Sequence, residues 1–232
     1  MTQRMIEITS PSFISEESLA AGADPARLFT RERPLALEIG CGIGDFIVQL
    51  ARQQPETNFL AIDIYNKGCH KTCKKVDAAQ LDNVRVARLE ARYLLTRHLP
   101  RESLSAIYIN CPDPWPKKRH RDRRLVNREF LHLAFHSLRP GGDLYFSTDF
   151  NDYAEQVAGI FPSLEGYRNC LSAPCTLELP GYPISKYMRR FLDLGQPIHF
   201  VHYKKKEGCA DAVPLPAVTQ GFRVRWSRAE NE

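Results

Sequence analysis

Short apolar runs alternate with longer amphipathic segments from about residue 34 onward, and this alternation constrains the fold more than any other feature. Strands that are separated by helices pair in parallel, because each helix carries the chain back across the sheet. Strands are indicated at 35–39, 59–62, 84–86, 104–109 and 143–147, with a late one at 196–203. Helices are indicated at 45–53, 67–79, after the third strand through Leu95, at 125–138 and at 152–161. The sequence therefore predicts an α/β, Rossmann-like fold with a mostly parallel sheet, helices on both faces and one late antiparallel strand.

The length of the chain, 232 residues, is sufficient for one domain with a full hydrophobic core. We predict an N-terminal extension at 1–33, the main domain at 34–203 and a partly irregular C-terminal tail at 204–232. Pro140-Gly141-Gly142 is typical of a turn between the fourth helix and the fifth strand.

Seven cysteines are scattered along the chain with no CxxC pair, which favours reduced thiols in the cytoplasm over a disulfide framework. Cys69, His70 and Cys73 lack a second ligand pair at a recognisable spacing, so we expect no metal. The first ten residues lack the apolar segment of a secretory signal, and no apolar stretch is long enough to span a bilayer. We therefore expect a cytoplasmic protein with no membrane partner. Its oligomeric state, monomer or homodimer, stays open.

An acidic residue stands at or just after the end of each of the five predicted parallel strands. These residues are Glu38, Asp63, Glu90, Asp113 and Asp149. Because the carboxyl ends of parallel strands meet at one edge of the sheet, the five side chains are expected to line a common rim. Acids at such places also cap the helices that follow, but five acids at five strand ends favour a binding site.

A glycine turn follows the first strand, with Gly40, Gly42 and Gly44 in a GxGxG pattern. Glycines let the backbone approach a ligand closely, and an acid about 20 residues further on, here Asp63, is placed to accept hydrogen bonds from a ribose. The third glycine of the dinucleotide GxGxxG pattern is missing, which argues against a nicotinamide dehydrogenase. The turn therefore predicts a nucleotide-like ligand.

A basic run follows Asp113 directly and carries the same net charge, +5, as the whole chain. Its cations are Lys117, Lys118, Arg119, Arg121, Arg123 and Arg124. A charge run is often only a solvated surface, but its position beside a rim acid favours phosphate binding and thus an RNA partner. Trp115 has two open interpretations, stacking on an exposed base or packing beneath the loop.

Two segments resemble a known family. Leu37-Glu38-Ile39-Gly40-Cys41-Gly42 resembles the first motif of S-adenosylmethionine-dependent methyltransferases, and Pro112-Asp113-Pro114-Trp115-Pro116-Lys117-Lys118-Arg119-His120 resembles the hallmark of tRNA (guanine-N7)-methyltransferases. The resemblance covers about residues 28–203. It implies a class I methyltransferase fold, S-adenosylmethionine as the donor without a metal, and a guanine of the tRNA variable loop as the acceptor.

The resemblance also implies roles for single residues. Glu38, Asp63, Glu90 and Asp113 fall at donor-contacting positions beside the glycine turn, Asp113 falls at the proposed catalytic acid, and Lys117 and Asp149 fall at substrate-contacting positions. The remaining cations of the basic run, Lys118, Arg119, Arg121, Arg123 and Arg124, are predicted to hold RNA phosphates.

One position departs from the family pattern. The Thr-x-x-Glu motif that helps to hold the target base is matched here by Ser185 to Met188, so a thioether replaces a carboxylate. Four explanations of this departure stay open. Another acid recognises the base, base selection is weaker, the match is locally shifted, or the acceptor differs. The alternatives are a methyltransferase for another RNA or a small molecule, and a non-catalytic RNA-binding relative.

Overall fold

The computed structural model describes residues 6–20 and 25–209, and its strands form one sheet. The strands are β1 (Phe13–Ile14), β2 (Leu35–Ile39), β3 (Asn58–Asp63), β4 (Val84–Arg88), β5 (Leu104–Asn110), β6 (Leu138–Thr148), β7 (Tyr167–Asn169) and β8 (His199–Lys205). They lie in the order β1-β4-β3-β2-β5-β6-β8-β7. The pairs from β1 to β6 are parallel, and β8 pairs antiparallel with both β6 and β7.

Seven α-helices connect the strands in the described part of the chain. They are α1 (Glu16–Ala20), α2 (Asp45–Gln53), α3 (Asn66–Ala78), α4 (Ala91–Arg97), α5 (Arg128–Ser137), α6 (Asn151–Ile160) and α7 (Lys186–Asp193). Short 3-10 helices lie at Pro25–Leu28, Lys118–Arg123 and Phe161–Ser163. Over the described ranges, no helix has both the length and the apolar character needed to cross a bilayer.

The core lies in two layers, because alternate residues of each strand point to opposite faces of the sheet. In β2, Leu37 packs with side chains of α4, α5 and α6, whereas Ala36 packs with those of α2 and α3. Cys69 and Cys73 are fully buried on the α3 side of this second layer. Both cysteines therefore serve as small apolar core residues.

The structure adds elements that the sequence analysis did not predict. β1 lies within the segment predicted as an extension, and Phe13 pairs with Val86 in parallel. The Pro140–Gly142 segment does not separate a helix from a strand, because it forms a bulge within β6, where Gly141 has φ of 74°. α7 and β7 were also missed. The predicted C-terminal tail lies outside the described residues from 210 onward.

The loop after β5, residues 111–117, is tied to the protein body by Arg124, which is 0% exposed. Its Nε donates to the Pro114 carbonyl at 2.8 Å, its Nη2 donates to Asp152 at 2.7 Å, and its Nη1 donates to Gln156. The guanidinium also stacks over the Tyr153 ring, 4.7 Å from the ring centroid. The predicted role of Arg124 in phosphate binding is therefore wrong, because none of its surface is open to a ligand.

Replacing Arg124 by methionine should lower the free energy of unfolding by about 3 kcal/mol, because three acceptors would lose one buried charged donor. Arg119→Met is the matched control, since Arg119 is exposed in the same basic run, and we expect a change of less than about 0.5 kcal/mol. Urea unfolding measures both values. An Arg124→Met protein as stable as the parent would show that other contacts hold the loop.

Candidate active site

A cavity of about 420 Å³ opens at the carboxyl ends of β2 and β5. The glycine turn and the first turn of α2 form one side, the end of β5 forms the floor, and α7 forms the other side. The cavity lining includes Glu38, Gly42, Asn110, Ser185 and Tyr187. The cavity therefore lies at the strand edge where ligands of parallel α/β sheets bind.

The glycine turn owes its shape to Asp63. The Oδ2 atom of Asp63 accepts a hydrogen bond from the Gly42 amide at 2.8 Å, and its Oδ1 atom accepts one from the Tyr65 amide at 2.8 Å. Gly44 has φ of 81°, and a Cβ atom there would lie 2.9 Å from Thr72 of α3. The turn is thus packed against α3 in a conformation that only glycine adopts without strain.

Glu38 is 1% exposed at the end of β2, and its Oε2 atom has no hydrogen-bond partner. Burial raises the pKa of Glu38 to about 8, with a further contribution from the nearby Asp63 charge. Below that pH the carboxyl group is largely neutral. A buried carboxyl with one unpaired oxygen, placed in a cavity wall, is suited to a ligand that brings a positive charge or a donor.

Glu90 serves as the N-cap of α4, because its Oε2 accepts a hydrogen bond from the Tyr93 amide at 2.9 Å. Burial raises the pKa of Glu90 above its usual value. This is the helix-capping role that acids at strand ends commonly have. The predicted contact between Glu90 and the donor stays a prediction.

Asp113 is exposed in the middle of the loop after β5. Two residues of this loop, Cys111 and Trp115, have positive φ of 45° and 42°. Such conformations are unfavourable for residues with a side chain, and they cluster at functional sites. The Cys111 amide donates to the Ser147 carbonyl at 2.9 Å, so the loop leaves the sheet at a fixed point.

Trp115 is partly buried in the same loop and belongs to none of the three apolar core clusters. The guanidinium of Arg123 lies over its ring, 5.0 Å from the centroid, and the His120 ring contacts its edge at 5.7 Å. The indole is therefore engaged by side chains of the basic run.

α7 covers the cavity from the other side. Its N-cap is Ser185, whose hydroxyl oxygen accepts a hydrogen bond from the Met188 amide at 3.1 Å. Met188 is 0% exposed and packs on Ile198 and Phe200. Its predicted contact with the substrate is therefore wrong, because its side chain faces the core.

Tyr187 was not singled out from the sequence, although it lines the cavity and is 51% exposed. Burial raises the pKa of its phenol, and the charges of Asp149 and Asp113 raise it further. The phenol is therefore within electrostatic reach of both carboxylates. Lys186 and Arg190 line the same side of the cavity. The sequence signal for α7 was Ser185, an N-cap residue that stands directly before an aromatic and basic segment.

The basic run forms an exposed 3-10 helix beside the Asp113 loop. Lys117, Lys118, Arg119 and Arg123 are exposed, whereas Arg121 is paired with Asp152. The basic run therefore keeps four exposed cations and a fifth that is paired with an acid.

Among the described residues, one group brings three metal-ligand side chains together: Asp143, Cys170 and His202. The Asp143 carboxylate already accepts hydrogen bonds from His202 at 2.7 Å and from Lys204 at 2.9 Å. The lysine ammonium occupies the place beside the carboxylate that a cation would need. This group lies near the start of the regular part of β6, away from the cavity.

Comparisons with known proteins agree with this architecture. A family model described as "Putative methyltransferase" matches residues 32–201. The crystal structure of the 16S rRNA methyltransferase KamB has a TM-score of 0.55 at 16% identity and covers 88% of this chain and 97% of that one. An antibiotic-related methyltransferase has a TM-score of 0.55 at 20% identity, with 83% and 94% covered. These likenesses confirm the predicted class I methyltransferase fold.

The sequence relatives are much closer. The tRNA (guanine-N(7)-)-methyltransferase of Syntrophotalea carbinolica is 58% identical over 229 residues, which are 98% of each chain. The protein of the same name from Geobacter metallireducens is 55% identical over 211 residues, 90% of this chain and 100% of that one. With this identity over nearly its whole length, the chain belongs to the tRNA (guanine-N7)-methyltransferase family.

Proposed function

We propose that this protein transfers a methyl group from S-adenosylmethionine to N7 of a guanine in the variable loop of tRNA. The observation that carries the proposal is the one cavity into which the glycine turn, the unpartnered Glu38 and α7 all converge, beside the strained Asp113 loop. The names of the close relatives support the same reaction. A cytoplasmic location is part of the proposal, because tRNA is the substrate.

The residues of the glycine side fit the donor. S-adenosylmethionine, when bound, supplies an electrophilic methyl group on a positively charged sulfur. Glu38 offers a buried acceptor for the ammonium group of the donor, and the pKa of Glu38 would fall again once that charge is beside it. The glycine turn, fixed by Asp63, leaves space for close approach of the nucleoside.

The acceptor needs little help with protons. Guanine N7 carries a free lone pair and no hydrogen, so attack on the methyl group requires no strong general base. Alignment of the two reactants can supply up to about 7–11 kcal/mol. Positive charge moves onto the purine during transfer, and the carboxylate of Asp113 would stabilise it there or orient the base through a ring N–H.

Tyr187 is the aromatic side chain that we propose for stacking on the target base. It is half exposed and lines the cavity, whereas the Trp115 ring is covered by Arg123. Its ring is held edge-on by Phe191, with centroids 4.8 Å apart. A preset aromatic face of this kind binds an unstacked base.

RNA phosphates are assigned to cations on both sides of the cavity. Lys117, Lys118, Arg119 and Arg123 lie exposed on the loop side, and Lys186, Arg189 and Arg190 lie on α7. Because Met188 faces the core, its thioether does not argue for a different acceptor. Asp149, whose charge reaches Tyr187, is available to read the guanine instead.

Asp113→Asn should lower kcat for tRNA methylation by about 100-fold or more, because the charge that stabilises the purine is lost while the shape is kept. Asp122→Asn is the control, since Asp122 is an exposed acid of the neighbouring basic run. Nucleoside mass spectrometry of 7-methylguanosine gives the rates at saturating donor, and calorimetry measures the donor affinity of each variant separately. Near-normal turnover of Asp113→Asn would remove this residue from the mechanism.

Neutralising Lys118 and Arg119 together should reduce the salt dependence of tRNA binding by about two in the log–log slope, because two phosphate contacts are lost. The control is the Lys71→Gln, Lys74→Gln double variant, which removes two exposed cations from α3. Filter binding at several potassium chloride concentrations measures the slopes. Equal slopes for the two double variants would show that the basic run acts only through net charge.

Tyr187→Ala should lower kcat/KM for tRNA by about tenfold or more, whereas Tyr187→Phe should stay near the parent, because base stacking needs the ring and not the hydroxyl. Leu192→Ala removes another exposed apolar side chain of α7 and serves as the control. Steady-state methylation assays measure all three. If the Phe variant loses as much as the Ala variant, the hydroxyl and not the stacking surface is what matters.

A further inference from the structure

Two buried polar atoms in the cavity wall have no hydrogen-bond partner: Oε2 of Glu38 and Nδ2 of Asn110. Both residues line the cavity, one at the end of β2 and the other at the end of β5. An unpaired buried donor or acceptor lowers the stability of the fold. Such groups are found where a bound ligand supplies the missing hydrogen bond. One of these atoms accepts a hydrogen bond and the other donates one.

The orientation of the Asn110 amide is fixed from behind. Its Oδ1 atom accepts hydrogen bonds from the Tyr182 hydroxyl at 2.7 Å and from the Ser147 hydroxyl at 2.9 Å. Two donors on the oxygen fix which end of the planar amide carries the NH2 group, and its Nδ2 atom is left buried without a partner. The Asn110 side chain, as a hydrogen-bond donor near the Glu38 carboxyl, also acts to lower the pKa of Glu38 against the larger effect of burial.

The Tyr182 ring is itself held in an aromatic cluster. It contacts Phe46 at 5.1 Å, Phe200 at 5.4 Å and Tyr145 at 5.7 Å between ring centroids. Its position along the chain is three residues before Ser185, so it lies on the segment that leads into α7. The hydroxyl of Tyr182 therefore joins this segment to the floor of the cavity.

We infer that Asn110 is a further donor-binding residue, whose NH2 group holds the carboxylate of the methionine part of the donor, and that Tyr182 and Ser147 position it. The inference rests on the proposed function. An α-amino acid end carries one ammonium and one carboxylate, and the two unpartnered atoms match this pair, Glu38 taking the ammonium and Asn110 the carboxylate.

Calorimetry with three ligands tests the assignment on the full chain. S-adenosylhomocysteine carries both charged groups, its decarboxylated form keeps only the ammonium, and 5′-methylthioadenosine has neither. Asn110→Ala should weaken S-adenosylhomocysteine binding by roughly 10- to 100-fold, as expected for a lost hydrogen bond to a charged group. Binding of the other two ligands should stay within about twofold. Glu38→Gln should instead weaken both ligands that contain the ammonium.

Tyr182→Phe is the variant for the positioning role and removes only a hydroxyl. It should reduce S-adenosylhomocysteine affinity by several-fold with the same ligand selectivity, and adding it to Asn110→Ala should cost less than about twofold more. Tyr108→Phe is the matched control, because Tyr108 packs in the same cluster, 6.2 Å from Tyr182, and its hydroxyl does not contact Asn110. Thermal unfolding of each variant checks the fold.

The relative loss of affinity for the three ligands in Asn110→Ala shows whether Asn110 holds the carboxylate. Equal losses for S-adenosylhomocysteine and 5′-methylthioadenosine in Asn110→Ala would overturn it, since the amide would then only support the cavity. Unchanged affinity for all three ligands would also overturn it. The proposed acceptor is judged separately, by formation of 7-methylguanosine in tRNA, so a parent protein that binds donor but methylates no guanine would refute that proposal alone.

Discussion

The hydrogen bond from the Gly42 amide to the Asp63 carboxylate is the interaction on which the cavity depends. The amides of Gly40 and Cys41 both donate to the Ile62 carbonyl, at 2.9 and 3.0 Å, so three bonds tie the turn to the end of β3. These bonds hold a left-handed backbone open beside the strand that carries Glu38. These three amides are already hydrogen-bonded to β3, so they are not free to donate to a ligand. The turn therefore contributes space for close approach, and the side chains around it form the polar contacts with the ligand.

The charges of the site are distributed according to burial. Glu38 is buried without a counter-charge, so it is held largely neutral near pH 7 until a cation arrives. Asp113 is exposed on a strained loop, beside the exposed cations of the basic run. One buried arginine, Arg124, anchors this loop, and its neighbour Arg123 is left exposed. The same residue type thus supports the site at one position and is available to RNA at the next.

The sequence predicted the strand ends well, because alternation of apolar strands and helices is a strong local signal and the acids follow it directly. The sequence could not show that Arg123 is exposed and Arg124 is buried, since a count of charges carries no information about burial. α7 was missed because Met188 is the one buried residue of the helix and gives no periodicity. β1 is only two residues long. The contact of Tyr182 with Asn110 joins residues 72 apart, and no local pattern encodes such a distance.

The segment from Tyr182 to α7 gives the two halves of the site a common wall. Tyr182 donates a hydrogen bond to the Asn110 amide on the side proposed for the donor. Tyr187, whose pKa is raised by burial and by the charges of Asp149 and Asp113, lies on the side proposed for the base. Met188 fixes the helix between them by burial on Ile198 and Phe200. A ligand that accepts a hydrogen bond from Asn110 would stabilise the position of this segment. A base stacked on Tyr187 would contact the same segment. Since any coupling between two binding sites is reciprocal, donor and RNA should then each favour the binding of the other through this segment, without movement of the sheet.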